Sequence, residues 1–207
     1  LLRCLKKKKP GHNSKKEFLS KPIEHIDITS FDTRTIISSM EKMSFVSRET
    51  ANAAKIYNEM LKDKDCTIFL TLAGSTSAAG CMHVYRDMVK YNMVDAIVAT
   101  GASIIDMDFF EALGFKHYQG SQFQNDTELR DNYIDRIYDT YIDEDELQMC
   151  DKIIGEIADN LEPKSYTSRE FINEMGKYLK KNAKKKDSLI EVAYDNNVPI
   201  FCPAFTD

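Results

Sequence analysis

The sequence has no tryptophan, and only eight of its 207 residues are glycine and five are proline. So little glycine and proline excludes a collagen-like chain, and a hydrophobic content of 43% excludes a wholly disordered one. No apolar stretch reaches the ~18 residues that a membrane-spanning helix needs. The formal net charge of −5 argues against a nucleic-acid-binding surface. We therefore expect a folded domain that contacts neither membrane nor nucleic acid.

Cysteine is scarce and scattered, and its number is odd. Without a CxxC pair, neither a disulfide framework nor a zinc ribbon is indicated, which favours a reducing, cytoplasmic compartment. The histidines show no HxxxH spacing, so no metal site is expected. We interpret His25 as structural rather than catalytic and Cys202 as a small core residue. The five cysteines are Cys4, Cys66, Cys81, Cys150 and Cys202.

The first residues combine two leucines with four consecutive lysines at positions 6–9. No apolar core follows these charges, so they do not form a signal peptide. We interpret residues 1–17 as a disordered or spurious leader; a solvated basic arm is the alternative. Folded sequence is expected from Phe18 onward, with residues 18–207 forming the N-terminal part of a single domain.

Hydrophobic periodicity places strands and helices in alternation from residue 66 onward. Period-2 alternation predicts an additional short strand at 22–28, and the acidic, tyrosine-rich segment 125–159 is expected to be a largely helical insertion or oligomer surface. Continuous β-prone runs predict strands at 66–72, 96–99 and 198–202, the first of them buried on both faces. Helical spacing predicts helices at 33–43, 47–61, 82–91, 109–113 and 189–194.

Two of these strands are each followed by a stretch of small residues and then a helix. This repeated unit is typical of a βαβ arrangement, so the predicted fold class is α/β and Rossmann-like, with a mostly parallel sheet flanked by helices. Residues 73–80 and 100–103 are the two small-residue stretches. Because carboxyl ends of parallel strands meet at one edge of the sheet, both loops are expected to line one crevice.

Such loops let a phosphate-bearing ligand approach the backbone. Neither loop has the GxGxxG spacing, however, and a loop of small residues is often only a tight turn. Three carboxylates, Asp106, Asp108 and Asp207, are expected near the crevice, which suggests a cationic substrate. The alternative for Asp106 and Asp108 is that they cap the helix beginning at residue 109.

The order of segments along the chain resembles the deoxyhypusine synthase family. The similarity runs from Lys21 nearly to the end and is most specific in the final block, NVPIFCPAFTD, at residues 197–207. The other matching stretches are residues 21–25 (KPIEH), 69–80, 91–102, 111–114 and 135–139.

This resemblance implies an NAD-dependent enzyme with a Rossmann-like fold, usually a homotetramer with active sites between paired subunits. In the family, NAD takes a hydride from spermidine, diaminopropane is released, and a butylimine passes to an enzyme lysine. The aminobutyl group then moves to a lysine of a translation-factor precursor. The same chemistry can deliver it to putrescine instead, which gives homospermidine.

The resemblance also assigns roles to individual residues. Asp106 matches a carboxylate that binds an amine of spermidine, and Ile105 occupies the adjacent, normally acidic substrate position. Asp207 matches an aspartate near the nicotinamide ribose and the substrate. The other residues matched to cofactor contacts are Gly74, Ser75, Thr76, Ser77, Ala78, Thr100, Gly101 and Ala102.

Departures from the family pattern touch the substrate pocket. Gly74 and Ser75 replace a Ser-Asn pair, Ile105 removes a carboxylate, and the turn at 104–108 contains one extra residue. These changes fit the bacterial deoxyhypusine synthase-like, homospermidine synthase-like branch better than the strict protein-modifying enzyme. The family's lysine nucleophile lies beyond Asp207, so we expect the fold to be incomplete at its C-terminus and these residues alone to be inactive. A catalytically inactive paralogue or partner subunit is the alternative.

Overall fold

The computed structural model describes residues 14–186 and 188–205. The helices are α1 (Lys15–Phe18), α2 (Arg34–Met40), α3 (Phe45–Lys62), α4 (Met82–Lys90), α5 (Gly101–Ser103), α6 (Phe110–Ala112), α7 (Asp126–Asp131), α8 (Glu144–Asp159), α9 (Ser168–Asn182) and α10 (Leu189–Asp195). The strands are β1 (Phe69–Leu72), β2 (Ala96–Ala99), β3 (Tyr118–Gln119), β4 (Ile134–Ile137), β5 (Thr140–Asp143) and β6 (Ile200–Phe201). A 3-10 turn covers Ile28–Ser30, and wide π-type turns cover Ser77–Cys81 and Ile104–Phe109.

A parallel sheet with strand order β1-β2-β6 carries the main core. Phe69 pairs with Ala96, and Ile97 pairs with Ile200, so all three strands run in the same direction. The central strand β2 has the most buried pattern because it has a neighbour on either side. The predicted mixed α/β fold, with a parallel sheet flanked by helices, is therefore confirmed.

The first strand differs from its prediction. Phe69 is 58% exposed and Thr71 is also exposed, so β1 is not buried on both faces. The reason is its position at an edge of the sheet in the part of the chain that is described. It also begins later than predicted, because the N–H of Ile68 donates to the side chain of Asp95 at 2.7 Å instead of to a strand.

A second, antiparallel sheet has the order β3-β5-β4, and two of its strands, β4 and β5, lie in the segment 125–159 that was expected to be largely helical. Two helices, α7 and α8, do occur there, but β4 and β5 form a hairpin between them. Tyr138, in the hairpin turn, adopts a left-handed backbone with φ of 56°. The expectation of a helical insertion was therefore wrong for its central part.

The predicted strand at 22–28 does not form. Pro22 makes a single antiparallel bridge to Tyr118, and the chain then enters the 3-10 turn at Ile28–Ser30. The segment instead connects two regions of the fold. The Ile23 N–H donates to the carbonyl of His117, next to β3, and the Ile26 N–H donates to the carbonyl of Gly80, in the π-type turn before α4.

Part of the predicted leader belongs to the fold. Residues 15–17 lie in α1, and the Lys15 ammonium contacts Asp143 at 2.6 Å and Asp145 at 2.7 Å. Phe18 packs edge-on against Tyr141 with ring centroids 5.9 Å apart. The boundary at residue 18 is therefore too late, whereas residues 1–13, including Cys4, lie outside the described residues.

Helices α4, α9 and α10 pack together beside the sheet and complete the main core. Cys202 and Cys150 are buried in this core, as expected for Cys202. None of the helices in the described ranges is both long and apolar enough to cross a bilayer. The largest fully buried side chains include Phe109, Phe110, Ile97, Ile104, Met175, Leu179 and Leu189.

Candidate functional site

The two small-residue loops meet at the carboxyl edge of the parallel sheet. We call residues 73–78 the first loop and residues 100–103 the second loop. They follow the paired strands β1 and β2, and the Thr100 N–H donates to the Leu72 carbonyl at 3.3 Å. The structure therefore brings the two predicted cofactor loops side by side.

Gly74 gives the first loop an unobstructed surface. Its φ is +72°, a left-handed conformation that glycine adopts without strain. A Cβ built at this position meets no atom of the described chain within 4 Å. The backbone at Gly74 thus faces open space that a ligand can enter.

Gly101 makes a close backbone approach instead. A Cβ at this position lies 2.4 Å from the carbonyl oxygen of Phe205, and the Gly101 N–H donates to the Ala204 carbonyl at 3.2 Å. Only glycine fits there without a backbone shift. The segment after β6 is therefore packed directly onto the second loop, whereas Asp207 lies outside the described residues.

Buried hydroxyl groups join the two loops. The Ser103 hydroxyl donates to the Gly74 carbonyl at 2.8 Å and lies 3.4 Å from the Thr100 hydroxyl. The Ser77 hydroxyl donates in turn to the Ser103 carbonyl at 3.4 Å. Ser77 and Ser103 are both almost fully buried, so these bonds belong to the interior of the loop pair.

Asp106 lies on the π-type turn that follows the second loop and is half-buried. Burial, reinforced by the negative charge of Asp151 on α8, raises its pKa to about 6. The neighbouring Ile105 is packed in the core, and its carbonyl lies 3.8 Å from the Cys150 thiol. Asp106 is therefore the more accessible of the two predicted substrate residues.

Asp108 does not face the crevice. Its carboxylate accepts the N–H groups of Leu189 and Ile190, each at 2.8 Å, at the start of α10. Burial raises its pKa to about 6 in spite of these two bonds. The expectation that Asp108 lies near the crevice was therefore wrong. The alternative, that Asp108 caps a helix, was right, but the helix is α10 and not the one predicted to begin at residue 109.

Replacing Asp108 by Ala is expected to lower the free energy of unfolding by roughly 3 kcal/mol, because two buried N–H groups lose their acceptor. Chemical denaturation measures this loss. The matched control is Ser188→Ala, which removes the other side-chain cap of α10 and should cost about 1 kcal/mol. An equal loss in both variants would contradict the role given to Asp108.

The Asp108→Asn variant tests how the ionisation of the Asp108 carboxyl affects stability. The folded carboxyl keeps its proton up to about pH 6, whereas the unfolded group titrates near the ordinary aspartate pKa of 3.8. Asp108 therefore makes wild-type stability fall as the pH rises from 3.8 to about 6. Denaturation of Asp108→Asn across this window should lack that decline; an unchanged decline would exclude Asp108 as its source.

A buried cluster around Glu111 was missed by the sequence reasoning. His25 Nε2 lies 2.6 Å from one carboxylate oxygen, and His117 Nδ1 lies 2.9 Å from the other. Lys185 Nζ also contacts the carboxylate, at 2.5 Å. A carboxylate only accepts hydrogen bonds, so both histidines donate to it. Burial opposes ionisation of Glu111, but these donors outweigh it and hold its pKa far below the usual range.

This cluster joins three separate parts of the chain, which contribute His25, Glu111 with His117, and Lys185, and this explains why no spacing signal marks it. His25 also stacks on His83 with ring centroids 4.8 Å apart. Burial, followed by the charge of Arg86, lowers the pKa of His83 to about 4. Among the described residues, no group of three or more His, Cys, Asp or Glu side chains is arranged to hold a metal ion. Because the Glu111 carboxylate and both imidazoles are buried and contact each other, we interpret the Glu111 cluster as a structural one.

The sequence is similar to that of known proteins. The family model described as deoxyhypusine synthase matches residues 35–207. A deoxyhypusine synthase-like protein of Caulobacter vibrioides is 68% identical over 197 residues, which cover 95% of this chain and 54% of that protein. A probable deoxyhypusine synthase 2 of Methanosarcina acetivorans is 36% identical over 190 residues, covering 92% of this chain and 55% of that protein.

The fold agrees with a solved structure assigned to deoxyhypusine synthase of Entamoeba histolytica. The TM-score is 0.57 at 21% sequence identity, and the match covers 89% of this chain and 63% of the other. At this identity the likeness concerns the fold alone. The chain spans about half the length of the curated relatives that it matches. By the extent of the family match, the chain belongs to the deoxyhypusine synthase family.

Proposed function

We propose that this chain is the NAD-binding, N-terminal part of an enzyme that transfers the aminobutyl group of spermidine to an amine acceptor. One observation carries the proposal: in a member of this family, the loops after β1 and β2 are joined by the Ser103–Gly74 hydrogen bond, and the second of them is packed against residues 204–205. This is the edge of a parallel sheet at which α/β proteins hold their ligands. The Rossmann-like character of the cofactor site is part of the proposal.

The residues present fit a dinucleotide. The first loop offers open space at Gly74, and its small side chains let an extended ligand lie close to the backbone. NAD, when bound, supplies the acceptor for a hydride from spermidine. The residues proposed to form its site are Gly74, Ser75, Thr76, Ser77, Ala78, Thr100, Gly101, Ala102 and Asp207; of these, Ser77 and Ala78 are buried and Gly101 packs on Phe205, so they shape the loops from within.

Asp106 is proposed to hold a spermidine ammonium group, with Ile105 as an apolar wall beside it. A carboxylate in a partly desolvated pocket pairs well with an ammonium group through a charge-assisted hydrogen bond. Once the hydride has left, a lysine of the full-length enzyme outside these residues takes the butyl carbon as an imine, and diaminopropane leaves as the free amine. The acceptor amine then displaces that lysine, and return of the hydride reduces the new imine to the aminobutyl product. The residues of this chain thus bind and orient NAD and spermidine, while the covalent step belongs to the rest of the full-length enzyme.

Replacing Asp106 by Ala in the full-length protein is expected to raise the KM for spermidine about tenfold, because the ammonium loses its carboxylate. The dissociation constant of NAD should change less than twofold. Steady-state kinetics and NAD titration measure the two quantities. Equal weakening of both would indicate a structural role for Asp106 instead.

The pH dependence gives a second test of the same residue. With its pKa near 6, Asp106 carries its charge above that pH and loses it below. The KM for spermidine should therefore rise as the pH falls through 6, and this rise should be absent in Asp106→Asn. A rise that persists in the variant would assign the titration to another group.

The acceptor is tested with spermidine labelled in its aminobutyl part. The full-length protein is incubated with NAD and either putrescine or the translation-factor precursor protein. Gly74 and Ser75 in the first loop and the apolar Ile105 favour a small amine, so label in homospermidine would support the putrescine reaction. Label in the precursor would establish deoxyhypusine synthesis, and label in neither product would favour an inactive partner subunit.

A homotetramer with active sites between subunits belongs to the same proposal, as does a cytoplasmic location. Among the described residues, Cys66, Cys81 and Cys150 form no disulfide, which fits the latter. Light scattering of the full-length protein measures its oligomeric state.

A further inference from the structure

We infer that Ser103 is a positioning residue that sets the orientation of the Gly74–Ser75 peptide for the diphosphate group of a dinucleotide. The inference rests on the proposed function and goes beyond the residues that the family resemblance assigns. Ser103 is 2% exposed, so its hydroxyl is an internal link between the loops and not a ligand contact.

The hydrogen bond of Ser103 fixes a peptide plane. Its hydroxyl donates to the Gly74 carbonyl at 2.8 Å, whereas the contact between the Ser103 and Thr100 hydroxyls and the bond from the Ser77 hydroxyl to the Ser103 carbonyl are each 3.4 Å long. The 2.8 Å bond is therefore the strong one in the network. Since a trans peptide is planar, its C=O and N–H point in opposite directions, so holding the carbonyl also aims the N–H of Ser75.

That N–H is available to a ligand. Among the described residues, the N–H groups of Ser75 and Thr76 donate to no protein acceptor. They follow Gly74, whose left-handed φ turns the backbone and whose surface faces open space. Successive free N–H groups in such a turn bind anionic oxygens. The diphosphate of a dinucleotide supplies oxygens of this kind.

The test compares Ser103→Ala with Ser188→Ala in the full-length protein. Both variants remove a buried hydroxyl that bonds to the backbone, but the Ser188 hydroxyl caps α10 and is not part of the hydrogen bonds that join the two loops. Ser103→Ala should raise the dissociation constant of NAD fivefold to tenfold, the value of roughly one hydrogen bond. Ser188→Ala should leave it within twofold, although both variants lose thermal stability.

Kinetic constants distinguish a positioning role of Ser103 from a general loss of stability. The KM for NAD should rise in Ser103→Ala, while kcat at saturating NAD stays within twofold of the wild-type value. In Ser103→Cys, whose thiol is a weaker donor of similar shape, the KM for NAD should lie between those of the wild type and Ser103→Ala. Unchanged NAD affinity in Ser103→Ala, or an equal rise in Ser188→Ala, would overturn the inference while leaving the proposed function intact. A wild-type protein that does not bind NAD would overturn the proposed function, and the inference with it.

Discussion

Replacing Glu111 by Ala is expected to lower the free energy of unfolding by about 3–5 kcal/mol, the cost of removing one partner from a buried ionic cluster. The Glu111 side chain is 9% exposed, and those of His25 and His117 are 3% and 0% exposed. Without the carboxylate, two buried imidazole donors and the Lys185 ammonium lose their acceptor. Urea denaturation of the variant and the wild type measures the loss.

Two further variants sharpen this test. Glu111→Gln keeps an acceptor oxygen but removes the charge, so its loss should be intermediate. Glu156→Ala is the matched control, because its side chain is 60% exposed and lies 4.0 Å from Lys152; it should cost less than about 0.5 kcal/mol. A loss below about 1 kcal/mol in Glu111→Ala would show that the cluster does not hold the fold together.

The Glu111 cluster also predicts a loss of stability in acid. Its folded pKa lies below the unfolded value of 4.5, so the stabilisation is fully present above pH 4.5. It is lost as the pH falls further towards the folded pKa. The acid loss should therefore be smaller in Glu111→Gln than in the wild type, and an identical acid profile would contradict this assignment.

Replacing Gly101 by Ala is expected to weaken NAD binding at least tenfold and to destabilise the fold by about 1–3 kcal/mol. The new Cβ would lie 2.4 Å from the Phe205 carbonyl oxygen and 3.0 Å from its carbon, and both are backbone atoms. The second loop or residues 204–205 must therefore move apart. NAD titration and thermal unfolding measure the two effects.

The control for Gly101 is another glycine with room around it. Gly155 lies within α8, and a Cβ there meets no described atom within 4 Å. Gly155→Ala should leave NAD binding unchanged and increase stability by up to about 1 kcal/mol through its better helix propensity. Normal NAD affinity in Gly101→Ala would show that the close approach does not shape the cofactor site.

The sequence was sufficient to predict the elements around the candidate site. Strand β2 was predicted with its observed bounds, because a short β-prone run there is followed at once by small residues and a helix. The meeting of the two loops follows from the same logic, since parallel neighbours end at one edge. These features depend on local patterns that a single sequence displays.

Features that depend on contacts between distant segments were not predictable. Asp108 caps a helix that begins 81 residues later, and Glu111 binds histidines from two different segments. The β4–β5 hairpin was missed because its turn contains Tyr138 in a left-handed conformation, without the Asn-Gly or Asp-Gly signal that usually marks such turns. Tertiary packing therefore determined the roles of Asp108 and Glu111, whereas the hairpin was missed for lack of a turn signal.

The most direct test of the central claim is the reaction of the full-length protein with NAD and spermidine in the absence of an amine acceptor. The account predicts that NADH forms and diaminopropane is released only when spermidine is present, and that both decline sharply in Gly101→Ala. Formation of neither product by a folded wild-type protein would contradict the account.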